Sequence, residues 1–94
     1  MKTKSFDIAE HLETPEDIRA FLNEVALTGN EADFIHALNT AARAMGMTEV
    51  AKKAGVTRAS LYKSLSENGN PRFETISKVT KALGCRLVVG GVTP

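Results

Sequence analysis

Cysteine is almost missing from this chain. Cys85 is the only one in 94 residues, so no internal disulfide can form, and a reducing cytoplasm is the expected compartment. Its neighbours Leu83, Leu87 and Val88 mark it as a small buried hydrophobe rather than a reactive thiol. No apolar run approaches the ~18 residues that a membrane span requires, and no signal-peptide pattern opens the sequence. Phosphate-binding loops are missing too: neither GxxxxGKS/T nor GxGxxG occurs, and Gly69-Asn70-Pro71 and Gly90-Gly91 read as turns. His11 and His36 have no cysteine or paired histidine at metal-ligand spacing. Ser60 and the acids do not assemble with them into a nucleophile, a base and a pocket. The expectation is a protein that is not an enzyme and holds neither metal nor cofactor.

What is present is ordinary in amount and uneven in placement. Apolar residues make up 43% and charged residues 24%, as in any globular domain. One domain of this size buries about 60–65% of its unfolded surface. The net charge is only +1, yet residues 1–42 carry three bases (Lys2, Lys4, Arg19) against eight acids, a balance of −5. Residues 43–94 carry nine bases against three acids (Glu49, Glu67, Glu74), a balance of +6. Such asymmetry points to a polyanion-binding half beside an acidic one. For Lys52, Lys53, Lys78 and Lys81 the simpler reading is a solvated face.

The pattern along the chain is helical, with short joints. Thr14-Pro15-Glu16-Asp17 is a helix start: a hydroxyl cap, proline in the first turn, and acids at the positive end of the dipole. Ile18, Phe21, Leu22 and Val25 then recur at three and four, giving helix 15–27 one core face. Thr28-Gly29-Asn30 ends it. A second helix carries Phe34, Ile35, Leu38, Ala41, Ala42 and Met45 inward, with His36 on its surface, and Gly46 closes it. Ser5–Ile8 reads as a short extended arm. Arg86-Leu87-Val88-Val89 reads as a strand before the Gly-Gly stop, with Gly84 at the preceding helix end. These two segments could pair with each other or with copies in a partner chain.

The most informative stretch is "AKKAGVTRASLYKSLSENGNPRF", residues 51–73. Thr48 is placed to cap a helix through Val50, Ala51 and Ala54. Gly55 stands where a left-handed C-terminal residue is needed, and Val56 can fold back onto the apolar face. Thr57 is a fresh N-cap, so a second helix begins within three residues, with Leu61 and Leu65 inward. Two helices so close must pack steeply, and a bulky side chain at 51 would hold them apart. This is the spacing of a helix-turn-helix, whose second helix enters a DNA major groove.

"MTEVAKKAGVTRASLYKSL" resembles the Cro and phage-repressor type of helix-turn-helix, and "SENGNPRFETISKVTKALG" looks like the helix that follows it. More narrowly, the chain resembles the addiction-module antidotes, the HigA-like antitoxins of type II toxin–antitoxin pairs. "SLYKSLSENGNPRF" and the acidic front "FDIAEHLETPEDIRAFLNEVALTGN" carry the narrower match. The resemblance covers nearly the whole chain. It implies an all-α, five-helix Cro/phage-repressor-like domain with an N-terminal arm and a C-terminal strand. The single domain, 1–94, divides into an acidic arm with two helices (1–46), the helix-turn-helix and the helix after it (47–84), and a tail (85–94). Two departures stand out. Ser64 replaces the larger apolar residue of many repressors, and Arg72 replaces the usual Ser or Thr cap. A guanidinium cannot accept a backbone hydrogen bond, so that cap is absent or comes from Asn70.

With Arg58 opening the second helix, Arg58, Ala59 and Lys63 fall at the positions which, in this family type, face base edges. Arg58 can fork onto guanine O6 and N7, and Ala59 can lie against a thymine methyl. Tyr62 either reaches a phosphate or the groove wall, or packs half-buried. Thr48, Thr57 and Ser60 offer hydroxyls near helix N-termini, and Asn68, Asn70 and Arg72 offer backbone contacts from the following loop. The implied partners are a palindromic double-stranded DNA operator, a RelE/HigB-like ribonuclease toxin, and a second copy of the chain held through Leu87, Val88 and Val89. The implied function is an antitoxin that neutralises the toxin and represses its own operon. The alternatives are a stand-alone repressor without a toxin and a protein-interaction module that keeps the fold without DNA.

Overall fold

The structure is a computed structural model that describes residues 7–91. Its helices begin where side chains supply missing hydrogen-bond partners. Thr14 caps α1 (Pro15–Thr28): its hydroxyl accepts from the Asp17 amide at 3.1 Å. The Asp17 carboxylate in return accepts from the Thr14 and Glu13 amides at 3.1 and 2.9 Å. Asn30 and Asp33 repeat this reciprocal box at the start of α2 (Glu31–Met45), at 2.9 and 3.0 Å. Each box satisfies donors that a helix start would otherwise leave open. Asn30 thus begins α2 as well as following α1, a role that its reading as a helix stop did not include.

Three shorter helices complete the chain: α3 (Met47–Ala54), α4 (Arg58–Ser64) and α5 (Phe73–Ala82), after a 3-10 turn at Ile8–His11. α1 and the 3-10 turn lie on α2, while α3 packs against α5, α4 and α2. The core sits where these meet. Leu38, Leu61, Leu65, Leu83, Val50 and Val79 are fully buried, each such side chain worth about 1.5–3 kcal/mol of burial. Ala37, Ala41, Ala42, Ala51 and Ala54 are buried among them, and their small size lets helix backbones approach closely. The expected inner faces of α1 and α2 are found: Ile18, Leu22, Leu38, Ala41 and Ala42 are buried, and Phe21, Val25, Phe34, Ile35 and Met45 pack at the edge of the core. Ala37 and Thr40 are also buried, widening the α2 face beyond the one read from the sequence.

Three expectations are corrected. Arg86–Val89 is not a strand; residues 85–91 have no regular structure. A strand exists only through a neighbour that takes its N–H and C=O groups, and no described segment offers one. Leu87, Val88 and Val89 are instead exposed, Val89 wholly so. Ile8 belongs to the 3-10 turn rather than an extended arm, while Ser5 and Phe6 lie outside the described residues. Thr48 does not cap α3: Gly46, at φ 113°, both ends α2 and begins α3, with no side-chain cap. Arg72 likewise precedes α5 without a side-chain cap, so Asn70 does not supply one.

Candidate nucleic-acid interface

The joint between α3 and α4 is built as the sequence requires. Gly55 takes φ 73°, ψ 30°. Its amide bonds the Lys52 carbonyl at 3.2 Å, and the Val56 amide bonds Ala51 at 3.0 Å. This is the doubly bonded left-handed helix ending known as the Schellman motif. No heavy atom lies within 4 Å of where a Gly55 Cβ would stand, so the glycine is needed for its backbone angle and not for space. Val56 packs against the core edge, and Thr57 caps α4 by accepting from the Ser60 amide at 3.0 Å.

Two contacts that sequence reasoning missed fix the far end of α4. Asn39 of α2 donates its side-chain amide to the Leu65 carbonyl at 3.3 Å, tying off a helix-end acceptor that α4 itself cannot satisfy. Gly69 approaches so closely that a Cβ there would collide with the Lys63 and Ser64 carbonyls. A lone asparagine carries no local signal of a role 26 residues away.

Leu61 and Leu65 face inward, Ser64 is half-buried, and the remainder of α4 faces solvent. Arg58, Ala59, Ser60, Tyr62 and Lys63 are all exposed, as are Thr48, Thr57, Asn68, Asn70 and Arg72. Tyr62 does not pack half-buried: the residue is 62% exposed. Val50, Ala51, Leu61 and Leu65 are buried and Val56 half-buried. Arg58 does not point freely into solvent. Its Nη1 donates to the Thr48 Oγ1 at 3.1 Å, across the corner from α4 to α3.

The basic residues divide into two groups. Arg43 meets Asp7 at 3.3 Å, Lys78 meets Glu74 at 3.4 Å, and Lys53 meets Glu49 at 4.0 Å. Among the described residues Arg19, Lys52, Arg58, Lys63, Arg72, Lys81 and Arg86 form no ion pair. α4 itself, RASLYKS, carries no acid. The hydrogen bond from Arg43, then that from the Ala9 amide, hold the Asp7 carboxyl below the usual aspartate range. No group of His, Cys, Asp and Glu able to hold a metal ion occurs among the described residues, and no described helix is long and apolar enough to cross a membrane.

Comparison with known proteins gives this arrangement a family. The family model described as "probable addiction module antidote protein" matches residues 2–90. An uncharacterised protein of Haemophilus influenzae is 45% identical over 86 residues, covering 92% of this chain and 89% of that one. No solved structure matches the chain. A match that spans nearly every residue, through the acidic front half and the α3–α4 corner alike, makes the chain a member of the addiction module antidote family.

Proposed function

We propose that this antidote is a DNA-binding antitoxin of a type II toxin–antitoxin system, reading its own operator with α4 and repressing its operon as a dimer. One observation carries the reading. A tight three-residue turn presents a short, acid-free helix whose Leu61 is locked in the core and whose Arg58, Ala59, Ser60, Tyr62 and Lys63 are all exposed. We read this as a helix-turn-helix, since an α-helix so presented fits the major groove. Arg58, Ala59 and Lys63 then face base edges, while Thr48, Thr57, Ser60, Tyr62, Asn68, Asn70 and Arg72 meet the phosphates and groove wall. Bases without carboxylate partners are the ones such a surface needs, because phosphate contacts draw their strength from released counterions.

The acidic half suits a different partner. Residues 7–46 carry eight acids against Arg19 and Arg43, which complements a basic, RNA-cleaving protein of the RelE/HigB kind. A single such domain touches one half-site, so the operator is a palindrome with half-sites about 34–36 Å apart. Exposed Leu87, Val88 and Val89 are the apolar contact we assign to the dimer.

The test is a titration of the full-length protein with the duplex upstream of its own gene, at several salt concentrations. Tight binding whose logarithm falls linearly with log salt supports the reading, with Arg72→Ala lowering the slope by about one. Binding that is absent or indifferent to salt overturns it. Co-purification with the product of the neighbouring gene tests the toxin.

A further inference from the structure

We infer that Thr48 is a positioning residue for Arg58, and that its hydroxyl sets the plane in which the guanidinium meets a base pair. The inference rests on the reading of α4 as the DNA-contacting helix. Three observations lead to it. The Arg58 Nη1 to Thr48 Oγ1 hydrogen bond, at 3.1 Å, joins the first residue of α4 to the second residue of α3. It is the only side-chain to side-chain hydrogen bond between these two helices among the described residues. Arg58 forms no ion pair, so its charge is held by a neutral acceptor and stays available to a ligand.

The chemistry follows from planarity. A guanidinium has five N–H donors in one rigid plane and no acceptor. Fixing one Nη1 hydrogen on Thr48 leaves four donors and restricts the tilt of the plane about the long side chain. Bidentate recognition of guanine O6 and N7 needs two of those donors parallel and coplanar with the base edge. A side chain already held in one orientation loses less rotamer freedom on binding than a free one. Thr48 keeps its own hydroxyl hydrogen while it accepts from Arg58. That hydrogen can go to a backbone phosphate, which would link the phosphate contact to the base contact and so fix register together with orientation.

Thr48 is not capping α3, since Gly46 holds that position, and its side chain is exposed. Its hydroxyl therefore has no structural duty in α3 beyond the bond to Arg58. That separates a positioning role from a folding role in experiment.

The probes are duplexes recovered by the full-length wild-type protein from a randomised pool, with every single-pair substitution of the recovered site. Arg58→Ala should flatten discrimination at one position of each half-site, by tenfold or more. Thr48→Val should lower discrimination several-fold at that same position and no other, with an unchanged salt slope because no charge is removed. Thr48→Ser should restore it. Thr48→Val should have no further effect on base preference in the Arg58→Ala background. Thr48→Ala repeats the measurement without a β-branched side chain, and thermal melting checks that each variant is folded. Thr48 substitutions that weaken every duplex alike, by the same factor with or without Arg58, would overturn the inference and leave Thr48 a phosphate contact alone. If Arg58→Ala leaves base preference untouched, the α4 reading itself fails and the inference with it.

Discussion

The two halves of the molecule begin their helices in opposite ways. α1 and α2 start with complete reciprocal boxes, Thr14 with Asp17 and Asn30 with Asp33. α3 and α5 start behind Gly46 and Arg72 with no side-chain cap, and α4 has only the one-way cap of Thr57. The acids of the first half are partly architecture: Asp17 and Asp33 serve helix ends, and Asp7 holds Arg43. In the second half most bases hold nothing. The lesson is that charge balance alone overstates the acidic half as a surface and understates the basic half, since among the described residues the bases without carboxylate partners are concentrated in the second half. It also says what keeps each half folded. The first half has local signals; the second depends on its core.

The sharpest way to break that contrast is Leu61→Ala. α4 is seven residues long, far below the ~12–15 at which an isolated helix becomes marginal, so packing alone can sustain it. Leu61 is fully buried, and its truncation should destabilise the protein by about 2–5 kcal/mol in urea unfolding. A loss under about 1 kcal/mol would mean that local propensity, not the core, holds α4.

The turn gives the next largest effect. Gly55→Val should cost about 1–3 kcal/mol, because a β-branched residue resists positive φ. Space is not the cause, since nothing lies near a Cβ there. Gly55→Asn should therefore recover most of the loss, asparagine being tolerant of the left-handed region. If Asn and Val melt alike, the strain account of this corner is wrong.

Caps come third, and they test the other half. Thr14→Ala should destabilise by about 1 kcal/mol, since it leaves the Asp17 amide without an acceptor. The comparable change beside α3, Thr48→Ala, should leave stability nearly untouched, because Thr48 caps nothing. Equal losses at the two threonines would erase the contrast between the halves.

These contrasts also show which parts of the molecule were legible in the sequence. α1, the Gly55 turn and the Thr57 start were readable because each writes its signal within four residues: a cap, a proline or a glycine at the right offset. The inner and outer faces of α4 followed from the spacing of Leu61 and Leu65. Gly46 was read only as a stop, because one positive-φ residue ends α2 and begins α3 with no linker between, which left Thr48 as the apparent cap. The tail misled for a different reason. Leu87-Val88-Val89 has strand composition, but a strand is a pair, and its partner is not a local property. Asn39 on Leu65 and Arg58 on Thr48 are contacts made by the fold between separate helices, and no local signal announces them.

The smallest effect concerns Asp7, whose partner Arg43 lies 36 residues along the chain. Arg43 Nη1 and Nη2 donate to its Oδ2 and Oδ1 at 3.3 and 3.5 Å, and the Ala9 amide donates to Oδ1 at 3.2 Å, fastening the 3-10 turn to α2. These bonds favour the ionised carboxylate, so its pKa is lower folded than unfolded. A depressed carboxyl stabilises the folded state above its unfolded pKa, and the contribution fades as pH falls through the folded value. Both groups are partly exposed, so salt screens the pair and the effect is confined to the turn. The carbon-detected titration of Asp7 should accordingly have a midpoint below the ordinary aspartate value, and Arg43→Ala should move it back up. At neutral pH Asp7→Asn should speed amide exchange at Ala9 and leave the amides of α5 unchanged. The difference from wild type should persist through mildly acid solution and vanish only as Asp7 itself protonates. A midpoint that Arg43→Ala does not move would detach the turn from α2 and return Asp7 to the pool of solvated acids.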